Sequence, residues 1–164
     1  KIRNLDVVLG DINKGTKILA KLVRILASRY DYVFFDCPTS LSLLARSVFR
    51  SSDYLVMPVI PTTLALQTFK RVQTYLSQHF PEKPQLIAFF SMVDQRKTLH
   101  RESMAQNSFE GVFCKAFIPT RSIIEKMGPN HAPLPSFSLD SKATEEYNAL
   151  WKEIKARILW MKTP

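Results

Sequence analysis

Asp36 closes the apolar run Tyr32-Val33-Phe34-Phe35. A carboxylate at the end of a buried strand can hold Mg2+, directly or through water, beside a nucleotide phosphate. The same residue also fits a cap on the turn that follows. A second group is cationic: Arg96, Lys97, His100 and Arg101 cluster at the start of a polar stretch, and Arg121 and Lys126 follow the next apolar run. Such cations can contact nucleic-acid phosphates without reading sequence, or can solvate a helix face. Gly10-Asp11-Ile12-Asn13-Lys14-Gly15-Thr16-Lys17 has the G-x4-G spacing of a phosphate-binding loop, but Thr-Lys stands where that loop needs Lys followed by Ser or Thr. The transposition puts a hydroxyl where the ammonium must reach, so the stretch is expected to be a polar loop with Gly in a turn. The segment from Leu150 to Lys162 is amphipathic and basic and carries both Trp residues, a composition that suits a membrane surface or the outside of a sheet.

The elements that must position these residues alternate along the chain. Strand signals are a short one at 6–9 and longer, largely apolar runs at 32–35, 54–59, 86–90 and 112–118, the longer runs predicting strands covered on both faces. Pro58 and Pro61 keep the run at 54–59 from bonding along its whole length. Helical periodicity predicts helices over 16–29, 41–49, 62–79, 97–109, 121–127 and 141–161, with a Pro-rich loop at 129–139. Strands alternating with helices predict an α/β fold with a mostly parallel sheet and helices on both faces. In such sheets ligands sit beyond the carboxyl ends of the strands. Asp36-Cys37-Pro38, Pro61-Thr62-Thr63, Ser91-Met92-Val93-Asp94 and Pro119-Thr120-Arg121 occupy those places.

The composition agrees with one domain over 1–164. The chain has 164 residues, 46% hydrophobic and 23% charged, the usage of a globular protein with one sizeable core. No apolar run reaches the length of a membrane span. Two Cys, at 37 and 114, exclude a disulfide scaffold, and the three His show no metal-ligand spacing. The four Gly leave little material for Gly-rich phosphate loops. Residues 1–80 carry 11 basic and 5 acidic side chains and residues 81–164 carry 12 and 9, so the net +9 is spread along the chain. That charge admits a polyanionic partner.

The run Tyr30-Asp31-Tyr32-Val33-Phe34-Phe35-Asp36-Cys37-Pro38-Thr39-Ser40-Leu41 resembles the Walker B and switch II segment of the ParA/Soj partition ATPases, members with MinD of the deviant Walker A group of P-loop proteins. Ser52-Asp53-Tyr54 through Pro58-Val59 resembles the family's A-D-x-apolar3-P-V strand, and Pro61-Thr62-Thr63-Leu64-Ala65-Leu66 its P-x-x-L-A-L helix start. Met92-Val93-Asp94-Gln95-Arg96 is similar to its M-x-D-x-R, Ile118-Pro119 to its I-P, and Leu134-Pro135 through Asp140-Ser141-Lys142-Ala143 to its closing motif. Two positions depart from the pattern. Thr39 replaces the second Pro of D-C-P-P, and Thr120-Arg121 stands in place of Arg-Asn. The family's K-G-G-x-G-K-[ST] loop is absent, and only 35 residues precede Asp36, so the chain resembles the later two-thirds of such an ATPase, P-loop NTPase-like but incomplete.

The resemblance implies a parent that binds ATP and Mg2+, forms a homodimer on ATP, binds DNA without sequence preference and hydrolyses ATP under stimulation by a ParB-like partition partner. It implies a cytoplasmic, nucleoid-associated protein of plasmid or chromosome partition. Asp36 would serve Mg2+ and catalysis, Met92, Asp94 and Pro119 the nucleotide-base side, and Arg96, Lys97, Arg101 and Arg121 the DNA. The chain as it stands, lacking the loop, is expected to be inactive in hydrolysis. Two other readings share these residues: a relative without the loop that only binds or regulates, and a MinD-like ATPase that cycles on membranes. The position of the last helix in the family favours packing on the sheet over a membrane role.

Overall fold

A computed structural model describes residues 12–37, 43–82, 84–107, 111–139 and 141–162 of the protein. In chain order its elements are α1 (Ile12–Leu26), α2 (Leu43–Ser51), β1 (Tyr54–Val59), α3 (Thr63–His79), β2 (Gln85–Phe90), α4 (Thr98–Asn107), the single turns α5 (Ser122–Glu125) and α6 (Met127–Asn130), a 3-10 turn (Leu134–Ser136) and α7 (Lys142–Lys162). The strand expected at 6–9 lies outside the described residues, as do positions 38–42 after Asp36. The elements form two compact units. One holds the chain up to Leu55 with Tyr75–Gln85, and the other holds Val56–Thr74 with Leu86–Pro164.

In the first unit α1 lies against α2. Helix α1 begins before the predicted start at 16, so residues 12–15, expected in a loop, are helical. The helix ends where Ser28 Oγ donates to the Ile25 carbonyl at 2.9 Å and the Arg29 and Tyr30 amides fold back on Leu26. Ala45, Val48 and Phe49 of α2 are buried, and Phe49 meets Phe80 edge-on at 6.1 Å. The Arg50 guanidinium lies 6.0 Å from the Phe80 ring centre. Ile18, Leu22 and Ile25 form an apolar stripe on α1 that is open to solvent.

The run 32–35 does not form the buried strand that its composition predicts. Residues 32–37 belong to no β-ladder, and Phe34 is 73% exposed. A strand that is apolar on both faces is stable only when paired neighbours and covering helices surround it. The ladder of this sheet takes in β1 and β2.

The second unit holds the core. The amides of Gln85 and Ser91 bond to the carbonyls of Asp53 and Val59, a constant offset of 32 residues that makes β1 and β2 parallel. The Val59 carbonyl faces β2, so strand alternation turns the nitrogen of Pro58 to the opposite edge, where a residue without an N–H costs no ladder bond. Val59, Phe69, Ala88, Phe90, Val93 and Phe113 form one buried cluster. The Phe113 ring stacks on Phe90 with centres 4.4 Å apart and tilts against Phe69 at 4.8 Å.

The strand expected over 112–118 is interrupted. It pairs in parallel with the β2 edge at Phe113–Ala88 and again at Pro119–Val93. Between these two points the amides of Lys115 and Ala116 turn away from the sheet and each donate to the Glu153 carboxylate at 2.8 Å. Arg157, one turn further along α7, donates to that carboxylate and to the carbonyls of Gly111 and Phe113. The last helix therefore completes the hydrogen bonding of the third edge. The predicted helix over 121–127 breaks into α5 and α6, and the expected loop contains the 3-10 turn.

Helix α7 starts at Ser141, whose Oγ accepts the Thr144 amide at 3.2 Å, an N-cap bond. It buries Ala143, Leu150, Ile154 and Ile158, while Leu159 and Trp160 lie outside that stripe and are exposed. Among the described residues no helix is long and apolar enough to cross a membrane.

Candidate functional site

The carboxyl rim of the second unit gathers most of the candidate residues. Beyond β2 the chain passes Ser91, whose amide bonds to Val59, and then Met92, whose φ of 54° is left-handed. Val93 next pairs with the neighbouring edge: its amide donates to the Ile118 carbonyl at 3.1 Å, and the Thr120 amide donates to the Val93 carbonyl at 2.9 Å. This pairing sets Pro119 directly beside Val93, so Met92 and Asp94 flank it on one rim. Met92 is exposed there. An L-residue with a side chain pays about 1–2 kcal/mol in that conformation, and a β-branched one pays more. Met92→Val is therefore expected to lower stability by about 1–2 kcal/mol relative to Met92→Gly, read by urea denaturation. Equal stabilities of the two variants would show that the turn is not held left-handed.

Asp94 knits the turn that follows. Its amide donates to His100 Nδ1 at 3.1 Å, and its carboxylate accepts the Arg96 amide at 3.1 Å, Nε at 3.0 Å and Nη2 at 3.1 Å. The Arg96 side chain beside it holds the Asp94 carboxyl down at about 2. Arg101 reaches back from α4 to the carbonyls of Gln95 at 2.8 Å and Arg96 at 3.2 Å. Lys97 is exposed on the same turn. Arg96, Lys97 and Arg101 thus share one short segment, with Arg96 and Arg101 braced by hydrogen bonds.

Arg121 is placed differently. It precedes α5, and its guanidinium grips the Glu146 carboxylate of α7, Nε to Oε2 at 2.8 Å and Nη2 to Oε1. Its charge is already matched within the fold. Sequence reasoning missed Glu146, Glu153 and Arg157, and it counted His100 among the cations of the basic cluster, whereas the structure buries it as the acceptor of the Asp94 amide. The Glu153–Arg157 spacing of four is a helix ion-pair signal, whereas Glu146 carries no local mark.

Asp36 belongs to the first unit. It is exposed at the end of the 32–36 segment, and burial together with the Asp36 charge pushes the adjacent Cys37 thiol up. Mg2+ is commonly held by one or two carboxylates together with substrate phosphates and water, so a single exposed carboxylate fits one ligand position. Asp36 would hold the ion, which would supply charge neutralisation for phosphates.

Comparison with known proteins adds identity to this geometry. A family model described as AAA domain matches residues 1–86, more than half of the chain. The chromosome-partitioning ATPase Soj of Treponema pallidum is 29% identical over 161 residues, covering 92% of this chain and 62% of that protein. The sporulation initiation inhibitor protein Soj of Bacillus subtilis is 28% identical over 177 residues, covering 94% and 68%. The chromosome partitioning protein ParA of Myxococcus xanthus is 24% identical over 148 residues, covering 85% and 51%. The chain therefore spans between about half and two thirds of the length of these relatives. A parallel α/β sheet, a rim built from the Met92–Arg96 and Ile118–Pro119 motifs and a domain match over half the sequence together mean that the chain belongs to the ParA/Soj-type partition ATPase family.

Proposed function

We propose that this chain acts as part of a ParA-like ATPase that partitions plasmid or chromosomal DNA. The observation that carries the reading is the likeness, along 92% of the chain, to a protein named a chromosome-partitioning ATPase. The rim of the second unit supports it, since Met92, Asp94 and Pro119 offer one edge to a nucleotide base; Asp36, in the first unit, is by itself a carboxylate of the type that holds Mg2+. On this reading ATP drives homodimer formation, DNA is bound without sequence preference, and a ParB-like partner stimulates hydrolysis. Arg96, Lys97 and Arg101 form the DNA-facing cluster. Arg121 joins it only by releasing Glu146, so its share is the smallest of the four.

The test is fluorescence anisotropy of the full chain with duplexes of unrelated sequence across a salt series. Three phosphate contacts predict a loss of affinity of about 40-fold between 50 and 200 mM salt, from a slope of about −0.9 per contact. Duplexes of different sequence should give one curve. Arg96→Ala with Lys97→Ala should flatten the slope by about 2. A flat salt response in the parent chain would remove the DNA assignment. Titration with Mg-ATP supplies the nucleotide arm, and Asp36→Ala should weaken the Mg2+-dependent part of binding.

A further inference from the structure

His100 is 4% exposed, in the first turn of a helix that is otherwise mostly polar. Its Nδ1 lies 3.1 Å from the Asp94 amide nitrogen. A backbone amide only donates, so Nδ1 must carry a lone pair and the ring must be neutral, with its proton on Nε2. That one acceptor divides the work of Asp94. The backbone is tied inward to a buried ring, and the carboxylate is left to close outward on Arg96 through Nε and Nη2. The Arg96 side chain is 91% exposed, and an exposed arginine would ordinarily sample many rotamers. Here two of its nitrogens are fixed, and among the described residues Nη1 is the free corner of the fork. Arg101, braced on the carbonyls of Gln95 and Arg96, stiffens the same turn from the other side.

We infer that His100 is a positioning residue: by accepting the Asp94 amide it fixes the turn that presents the Arg96 guanidinium to a phosphodiester. The inference rests on the reading of Arg96 as a DNA contact, and it concerns a side chain that touches no ligand. It predicts which replacement is tolerated. Asparagine places its Oδ1 the same number of bonds from Cα as histidine places Nδ1, so it can keep the acceptor. Leucine keeps the apolar volume and loses the acceptor.

The experiment uses isotope-labelled full chain and two variants, His100→Asn and His100→Leu. Two-bond proton–nitrogen correlations read the ring tautomer, amide hydrogen exchange reads Asp94, and anisotropy with a duplex of arbitrary sequence reads DNA binding. The expected results are an Nε2-protonated ring and Asp94 exchange about tenfold faster in His100→Leu, with near-parental protection in His100→Asn. The salt slope for DNA should fall by about 1 in His100→Leu, as it would on removing Arg96, and recover in His100→Asn. A ring protonated on Nδ1 overturns the inference. So does parental Asp94 exchange in a folded His100→Leu, or an unchanged salt slope in that variant when the parent binds DNA. If His100→Leu does not fold, the ring tautomer and the asparagine rescue still decide. If the parent binds no DNA while the tautomer and exchange results hold, the DNA reading fails and His100 stands as the residue that positions the turn.

Discussion

Phe113→Ala is expected to lower the unfolding free energy by about 4–5 kcal/mol, the upper end of the range for removing a buried aromatic ring. The ring is the middle member of a trio. It stacks face to face on Phe90, with planes 15° apart, and tilts against Phe69 on its other side. Its loss removes the burial of the side chain, opens a cavity between two strands and a helix, and ends two aromatic contacts of about 0.5–1.5 kcal/mol each. Phe90 comes from β2 and Phe69 from α3, and each is fixed by its own backbone, so the cavity has little room to collapse. Phe113→Leu refills most of the volume and should cost roughly 1–1.5 kcal/mol. Urea denaturation followed by circular dichroism checks both variants. A loss below about 1 kcal/mol for the alanine variant would mean that the trio is not a packed core.

The second large effect belongs to Glu153. Its carboxylate accepts the Lys115 and Ala116 amides at 2.8 Å each and the Arg157 Nε and Nη2 at 3.2 and 3.0 Å. Glu153→Ala leaves two main-chain donors and a partly buried guanidinium without that acceptor, at a cost of about 2–4 kcal/mol. Glu153→Gln keeps one acceptor oxygen and turns an N–H toward the other donor, so it should recover less than half of the loss. Burial pushes the Glu153 carboxyl up, but the Ala116 and Lys115 amides and the Arg157 guanidinium together hold it below the ordinary value of 4.5. The folded state therefore binds this proton less readily than the unfolded chain. The stabilisation is complete above 4.5 and drains away as the pH falls through the lower folded value. A denaturation series from pH 7 down to pH 3 should show the parent losing stability faster than Glu153→Gln. Parallel curves would mean that the carboxylate is not the clamp.

Much of the architecture was readable from local pattern. β1 and β2 are continuous apolar runs bounded by turn residues, and α3, α4 and α7 show helical spacing with Ser or Pro punctuation, so each segment's own chemistry suffices. The run 32–35 reads as a buried strand because composition reports that side chains favour burial, while the neighbours that would bury them are not written in the segment. The interruption at 115–116 was invisible because its cause sits 37 and 38 residues further on, at Glu153. The rim was half legible. Strand ends placed Met92, Asp94 and Pro119 correctly at the carboxyl edge of the sheet, and the basic cluster on the turn was evident from its charges. Arg121 read as an open cation because nothing nearby announces Glu146, 25 residues away. His100 read as one more polar residue of a charged helix, since a hydrogen bond to a backbone amide leaves no trace in composition.

The bond from α7 to the third edge has a consequence for how the molecule is born. A ribosome delivers residues 112–118 well before it delivers Glu153 and Arg157, and until then the Lys115 and Ala116 amides have only water to bond. The edge strand can dock at its two ends early, through Phe113 and Pro119, but its middle must wait for the closing turns of the final helix. Translation order thus makes this seam the last part of the second unit to lock, and ribosome-stalled nascent chains that stop short of Arg157 should be cut by protease at 114–117 where released chains resist.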